Sequence, residues 1–254
     1  MLPNKDTTIL SEINDFFSTS EKAIVSIFRV LHSMRVSEKL FLKSDACNVW
    51  YRNVDKLTLL LLFPFFEIKD ASHFGGSALY KIISCGKAVF YRMLNDSNMD
   101  WRSISYKLNL RLLKTTSANS EPQENKVARC LIIDDTDLHK TGRRIEHIGR
   151  IFNHVTKTSI LSFKGLVMAF HDGKSLFALD AALHCEKGKN KKKPYGLTPT
   201  QAKERYSKKR DKNSAAHKRT QESFSTKIDS LISMIRLAIT NGIRFVPIAI
   251  GTVG

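Results

Sequence analysis

Three carboxylates follow one another closely in residues 131–142. The apolar run Leu131–Ile133 precedes Asp134, Asp135 and Asp137, and it predicts a buried strand that delivers the acids to its exit. Hard cations such as Mg²⁺ take oxygen ligands held on a rigid support. The segment therefore predicts an acidic metal site, and the basic character of the rest of the chain indicates a polyanionic substrate, with DNA favoured.

Composition bounds the class of protein. The chain has 254 residues, 42% of them hydrophobic, which allows one large domain or two modest ones with a sizeable core. A formal net charge of +17 favours a nucleic-acid partner, with a membrane surface as the weaker alternative. The four cysteines form no CxxC pair, which disfavours a disulfide scaffold or zinc site and predicts a reducing, cytoplasmic and nucleoid-associated setting.

Targeting and membrane signals are weak in the sequence. The first residues contain no apolar leader, so we expect no signal peptide. The most apolar run, residues 57–66, is about half a membrane span and includes Pro64, which predicts a buried helix.

Helical periodicity dominates residues 1–120 and predicts a helical, DNA-binding domain. Two short helical patterns, Ser77–Ser84 and Ala88–Leu94, are separated by residues 85–87 in the layout of a helix-turn-helix. Tyr91 and Arg92 would lie on the second helix, where they could reach a DNA groove. An ordinary helical hairpin is the alternative.

A polar stretch, Thr115–Lys126, predicts a linker to a second domain over residues 127–254. Residues 130–133, 163–170 and 175–183 read as strands, and the turn residues 171–174 pair the last two as a hairpin. An amphipathic helix follows over Phe224–Ile239 and ends at Asn241 and Gly242. The predicted fold class is α+β: a helical domain, then an incomplete ribonuclease-H-like core of sheet and helix with a basic insertion.

The basic insertion covers residues 187–219. It holds thirteen Lys or Arg against two acids, and so supplies eleven of the seventeen net positive charges. Such a stretch is expected to remain unburied and to bind phosphates with release of counterions; a solvated, solubilising loop is the alternative. The predicted DNA-binding residues are Lys191, Lys192, Lys193, Lys208, Lys209, Arg210, Lys212, Lys218 and Arg219.

Several short motifs, taken in order, resemble those of bacterial insertion-sequence transposases of the DDE type, most nearly the insertion-sequence-four-like group. They are residues 134–142, 149–155, 163–166, 172–175, 179–188 and 207–212, with 75–81 and 90–95 in the helical half. The resemblance implies DNA transposition and recombination, with Mg²⁺-dependent or Mn²⁺-dependent strand cleavage and transfer at insertion-sequence ends. Two ions are held by an Asp, Asp, Glu triad in such enzymes. The first acid of the triad falls on Asp134.

The chain departs from this pattern after the amphipathic helix. No acid follows Asp229, so the second Asp and the Glu of the triad are missing from these 254 residues. We expect a C-terminally truncated or frameshifted, inactive fragment that still binds DNA, at insertion-sequence ends or target. Asp180 is the weaker metal-ligand candidate; Asp172 is explained by its turn, and Glu146 and Glu186 are weaker still.

Two other functions compete with the transposase. One is a non-enzymatic DNA-binding protein derived from a transposase, acting as an inhibitor of the full-length enzyme. The other is a basic RNA-associated or ribosome-associated protein. The paired working state of transposases suggests a homodimer, which no residue pattern here demonstrates.

Overall fold

The computed structural model describes residues 22–41, 51–118, 129–245 and 249–250. The chain divides into two compact units, residues 1–121 and 122–254. The described residues of the first unit are mostly helical and those of the second form a sheet and three helices, so the predicted mixed α+β class is confirmed. Among the described helices, none combines the length and apolarity needed to cross a membrane.

Five helices are described in the first unit. They are α1 (Lys22–Ser33), α2 (Asn53–Leu62), α3 (Ala78–Ile82), α4 (Lys87–Leu94) and α5 (Trp101–Ala118). A 3-10 turn, Phe63–Phe66, follows α2 at the proline, as expected from the missing N–H of Pro64. Phe63, Phe74 and Phe90 pack together as the aromatic centre of one core cluster. Helix α5 extends to Ala118, so the first residues of the predicted linker are helical.

The second unit begins with four strands. They are β1 (Cys130–His139), β2 (Gly149–Asn153), β3 (Thr158–His171) and β4 (Leu176–His184). Helices α6 (Pro199–Lys203), α7 (Ala215–Glu222) and α8 (Lys227–Thr240) follow, and then the short β5 (Ala249–Ile250). Strand β3 pairs antiparallel with β1, β2 and β4, whereas β5 pairs parallel with β1. Both β1 and β4 pair with residues 164–171 of β3, so they lie on its opposite edges and the order is β4-β3-β1-β5.

Strand β1 is longer than predicted. It continues to His139 because the long β3 offers a continuous ladder, in which His139 lies opposite Ser162. The expectation that the acids stand at the exit of the strand is therefore wrong, since they lie within it. Strand β2 was missed: its five residues pair with the first residues of β3 and carry little apolar alternation.

Helix α8 packs differently from its predicted stripe. Its buried residues are Ser230, Met234 and Ala238, spaced four apart, while Ile228 and Ile232 are exposed. The small side chains of Ser230 and Ala238, on either side of the fully buried Met234, let this face approach a neighbouring layer closely. The helix begins at the N-cap Thr226, whose hydroxyl accepts the Asp229 N–H, so Phe224 lies outside it.

Candidate functional site

The three acids of β1 divide between the two faces of the sheet. Successive strand residues point to opposite faces. Asp135 lies opposite Leu166 and Asp137 opposite Lys164, on the face that includes the buried Ile133. Asp134 lies opposite Val167 on the other face and is exposed, and its carboxylate accepts the Asp135 N–H at 2.8 Å.

Two lysines hold the acids that share a face. The Lys164 ammonium lies 2.5 Å from Asp137 Oδ1 and 3.7 Å from Asp135 Oδ1. Lys227, the first residue of α8, places its ammonium 2.6 Å from Asp135 Oδ2 and 3.7 Å from Glu186 Oε1. The β1 charge cluster is therefore Asp135, Asp137, Lys164, Glu186 and Lys227. Its Lys227–Asp135 pair joins β1 to the first residue of α8, a helix that packs against β3 and β4.

The pKa shifts agree with this pairing. Burial alone would raise the pKa of Asp135, but the hydrogen bond from Lys227 and the charges of Lys227 and Lys164 outweigh it, and the pKa is lowered. Burial opposes the charged form of Lys164, yet the hydrogen bond to Asp137 and the neighbouring carboxylates leave its pKa raised. Both groups are therefore charged at neutral pH. The second oxygen of Asp137 accepts the Asn153 side-chain N–H at 2.8 Å.

These side chains, as placed, do not fit the two-ion site that the resemblance implies. Asp135 and Asp137 present hard oxygen donors on one face, but the ammonium of Lys164 stands between them. Asp180 lies opposite Met168 on β4, two strands from β1, which is about 9.6 Å of sheet width. It is on the face opposite Asp134, so those two acids cannot share an ion. No metal-binding group of three or more His, Cys, Asp or Glu occurs within the described ranges. The role of Asp134 as a ligand stays a prediction.

The turn acid behaves as expected. Asp172 Oδ1 accepts the backbone N–H groups of Lys174 and Ser175 at 2.9 and 2.7 Å. Burial would raise the pKa of Asp172, but these hydrogen bonds lower it. Its interpretation as a turn residue is confirmed.

The basic insertion stays largely unburied, as expected, but it packs against the sheet through one apolar residue. Leu197 is fully buried in a core cluster with Ile148, Leu161 and Phe163. The Arg205 guanidinium lies over the Tyr195 ring at 5.3 Å. Leu197 thus anchors the segment to the sheet, while most of its other residues remain at the surface.

Seven of the nine predicted DNA-binding residues are exposed. They are Lys191, Lys192, Lys193, Lys208, Lys209, Lys212 and Lys218. The other two are engaged within the protein. Arg210 donates to both oxygens of Glu146, at 2.6 and 2.5 Å, and Arg219 donates to Glu222 at 2.5 Å and to the Ala181 carbonyl.

Helices α3 and α4 confirm the predicted helical pair in the first unit. Ser77 caps α3 by accepting the Tyr80 N–H at 3.3 Å, and Phe90 of α4 is fully buried. Tyr91 and Arg92 are exposed on the outer side of α4. Contact of this helix with a DNA groove stays a prediction.

Sequence reasoning missed Lys164 and Lys227, and it weighed Glu146 and Glu186 only as weak metal ligands, without foreseeing their ion pairs. A lysine inside an apolar strand was the available signal for Lys164, because a buried ammonium needs a carboxylate partner. The pairs involving Glu146, Glu186 and Lys227 join residues far apart in the chain, so no local pattern reveals them. Comparisons with protein families, with curated proteins and with solved structures give no match to this chain.

Proposed function

We propose that this chain is a DNA-binding protein of the DDE-transposase type, which holds DNA phosphates through the lysines of residues 187–219. Three observations of the second unit support a ribonuclease-H-like core. Three long strands run antiparallel, helices follow them, and β5 then pairs parallel with β1. The acid-bearing strand β1 lies at the centre of this sheet.

The observation that carries the proposal is the set of seven exposed lysines on a segment that follows β4 and packs against the sheet through Leu197. Lysines fixed at a surface can neutralise phosphates and release condensed counterions. If all seven contact phosphates, the logarithm of the association constant should fall with the logarithm of salt concentration with a slope of about −6. Affinity should then drop by roughly a thousandfold or more between about 50 and 200 mM salt.

A fluorescence-anisotropy titration with a labelled duplex of about 30 base pairs, repeated over that salt range, tests this slope. Replacing Lys191, Lys192 and Lys193 together by Gln should reduce the magnitude of the slope by about 3. A matched control replaces Lys140, Lys157 and Lys174 by Gln, since these exposed lysines of the same unit lie outside the insertion. We expect little change in slope for the control. Equal losses in both triple variants, or no binding by the wild type at low salt, would overturn the proposal.

Strand cleavage is a separate question, and the lysine-paired acids support binding without cleavage. Supercoiled plasmid incubated with the protein and Mg²⁺ or Mn²⁺ should give no more relaxed product than plasmid alone. Nicking that requires the metal and disappears in Asp134→Ala would show instead that Asp134 acts as the resemblance implies.

A further inference from the structure

The nine basic residues assigned to DNA from the sequence are of two kinds in the structure. Seven lysines are exposed, whereas Arg210 and Arg219 are bound to acids of the protein itself. Arginine presents a planar fork that matches a carboxylate with two hydrogen bonds, and lysine carries a mobile point charge. The two arginines thus pair with carboxylates of the protein, whereas the lysines keep their charges at the surface.

The Glu146–Arg210 ion pair is more enclosed than the Arg219–Glu222 pair of the same segment. Its two side chains are 19% and 15% exposed, and both guanidinium nitrogens reach the carboxylate. Glu146 also accepts the backbone N–H of Lys208 at 3.3 Å. The hydrogen bond from Arg210 is the main cause of the lowered pKa of Glu146. One carboxylate therefore holds both the backbone and a side chain of the lysine-bearing loop 207–213.

The residues next to Glu146 hold other parts of the same unit. The Ile148 carbonyl accepts from the Arg205 guanidinium at 3.3 Å, and the His147 carbonyl accepts from the Cys185 thiol at 3.0 Å. His147 has a φ of +57°, a left-handed conformation that costs energy for a non-glycine residue and persists where the surroundings impose it. Residues 146–148 thus hold several parts of the insertion in place through hydrogen bonds.

From this geometry we infer that Glu146 and Arg210 are positioning residues of the DNA-binding surface, and that Arg210 is not a phosphate contact. The inference rests on the proposed function. An ordered loop binds without first losing its conformational freedom, and so presents Lys208, Lys209 and Lys212 to DNA at a lower entropic cost. Arg219, held by Glu222 and Ala181, fixes α7 to β4 in a comparable way.

The direction in which Glu146→Gln changes DNA affinity distinguishes positioning from simple electrostatics. The substitution removes a negative charge and releases Arg210, so simple electrostatics predicts tighter DNA binding. Positioning predicts the reverse, with affinity about three- to tenfold lower at fixed salt. Glu204→Gln is the matched control, because this exposed acid of the same insertion gives the same charge change. It should bind DNA as tightly as the wild type or slightly more tightly.

Two further readouts separate positioning from general loss of structure. Hydrogen exchange should quicken in the peptide covering residues 205–213 of Glu146→Gln while β1 and β3 keep their protection. The charge-swapped double variant Glu146→Arg/Arg210→Glu should recover affinity relative to Glu146→Arg alone, although Glu146→Arg carries two more positive charges, so net charge alone predicts the reverse.

The outcomes distinguish the two claims. If the wild type fails to bind duplex DNA, the proposed function falls and the inference falls with it. If the wild type binds and Glu146→Gln binds equally or more tightly, only the inference is overturned. Loss of protection in β1 and β3 of Glu146→Gln would also overturn it, because the pair would then maintain the whole unit.

Discussion

Replacing Lys164 by Met should destabilise the second unit far more than replacing Lys227 by Met. The Lys164 and Asp137 side chains are 11% and 16% exposed, whereas those of Lys227 and Asp135 are 38% and 36% exposed. Removing one partner of a fully buried ion pair costs about 3–5 kcal/mol, and an exposed pair is worth only about 0.2–1 kcal/mol. Since Asn153 still donates to Asp137, we expect about 2–3 kcal/mol for Lys164→Met and under about 1 kcal/mol for Lys227→Met.

Urea unfolding followed by far-ultraviolet circular dichroism measures both losses. Trp50 and Trp101 lie in residues 1–121, so tryptophan fluorescence reports on the first unit and serves as an internal reference. The double variant Lys164→Met/Asp137→Asn no longer leaves a buried carboxylate unpaired and should recover to within about 1 kcal/mol of the wild type. Equal losses from the two single lysine variants, or no recovery in the double variant, would refute the assignment of a costly buried charge.

Three further outcomes follow from the same structure. Met234→Ala should lower the free energy of unfolding by about 2–5 kcal/mol because Met234 is fully buried. Ile228→Ala should change it by less than about 0.5 kcal/mol because Ile228 is 69% exposed. Equal losses in urea unfolding would mean that another face of α8 is buried. Gly196→Ala should lower the free energy of unfolding by about 1–3 kcal/mol in the same assay, because Gly196 has a φ of +64° and an added Cβ would lie 2.7 Å from Arg150 Cβ. No change in stability would contradict that close approach. The pKa of Asp135 is lower in the folded protein than its unfolded value of about 3.9, so the carboxylate stabilises the fold above that pH, and this contribution is lost as the pH falls through the folded pKa. The free energy of unfolding should therefore fall less steeply with acidification below about pH 4 in Asp135→Asn than in the wild type. Parallel curves for the two proteins would exclude the linkage.

Local signals predicted several parts of the fold. The turn at Asp172 and Gly173 follows from hydrogen bonds between neighbours in sequence, and so does the end of α8 at Asn241. The apolar run of β3 was visible for the same reason. Each of these features depends on residues a few positions apart, so sequence is sufficient to find them. The start of α8 was predicted too early, at Phe224 rather than after Thr226.

Features decided by distant residues were predicted less well. The stripe of isoleucines on α8 has the spacing of a core face, but the sheet accepts Ser230, Met234 and Ala238 instead. Hydrophobic spacing alone cannot weigh side-chain size against the space that a neighbouring layer leaves. The order of the insertion also depends on a distant partner, since Glu146 lies more than sixty positions before Arg210.

The split of the acids between two faces explains why the site could not be assigned from its motif. Residues 131–133 are all apolar, so the sequence gives no alternation that says which face of β1 is covered. Packing decides it: Leu131 and Ile133 are buried and Ile132 is half-exposed, which sends Asp135 and Asp137 toward α8 and leaves Asp134 on the opposite face. A register shifted by one residue would exchange these faces. The acid first in the motif and the acids held by lysines are therefore different residues, and Asp134→Ala should leave the ion pairs of Lys164 and Lys227 intact.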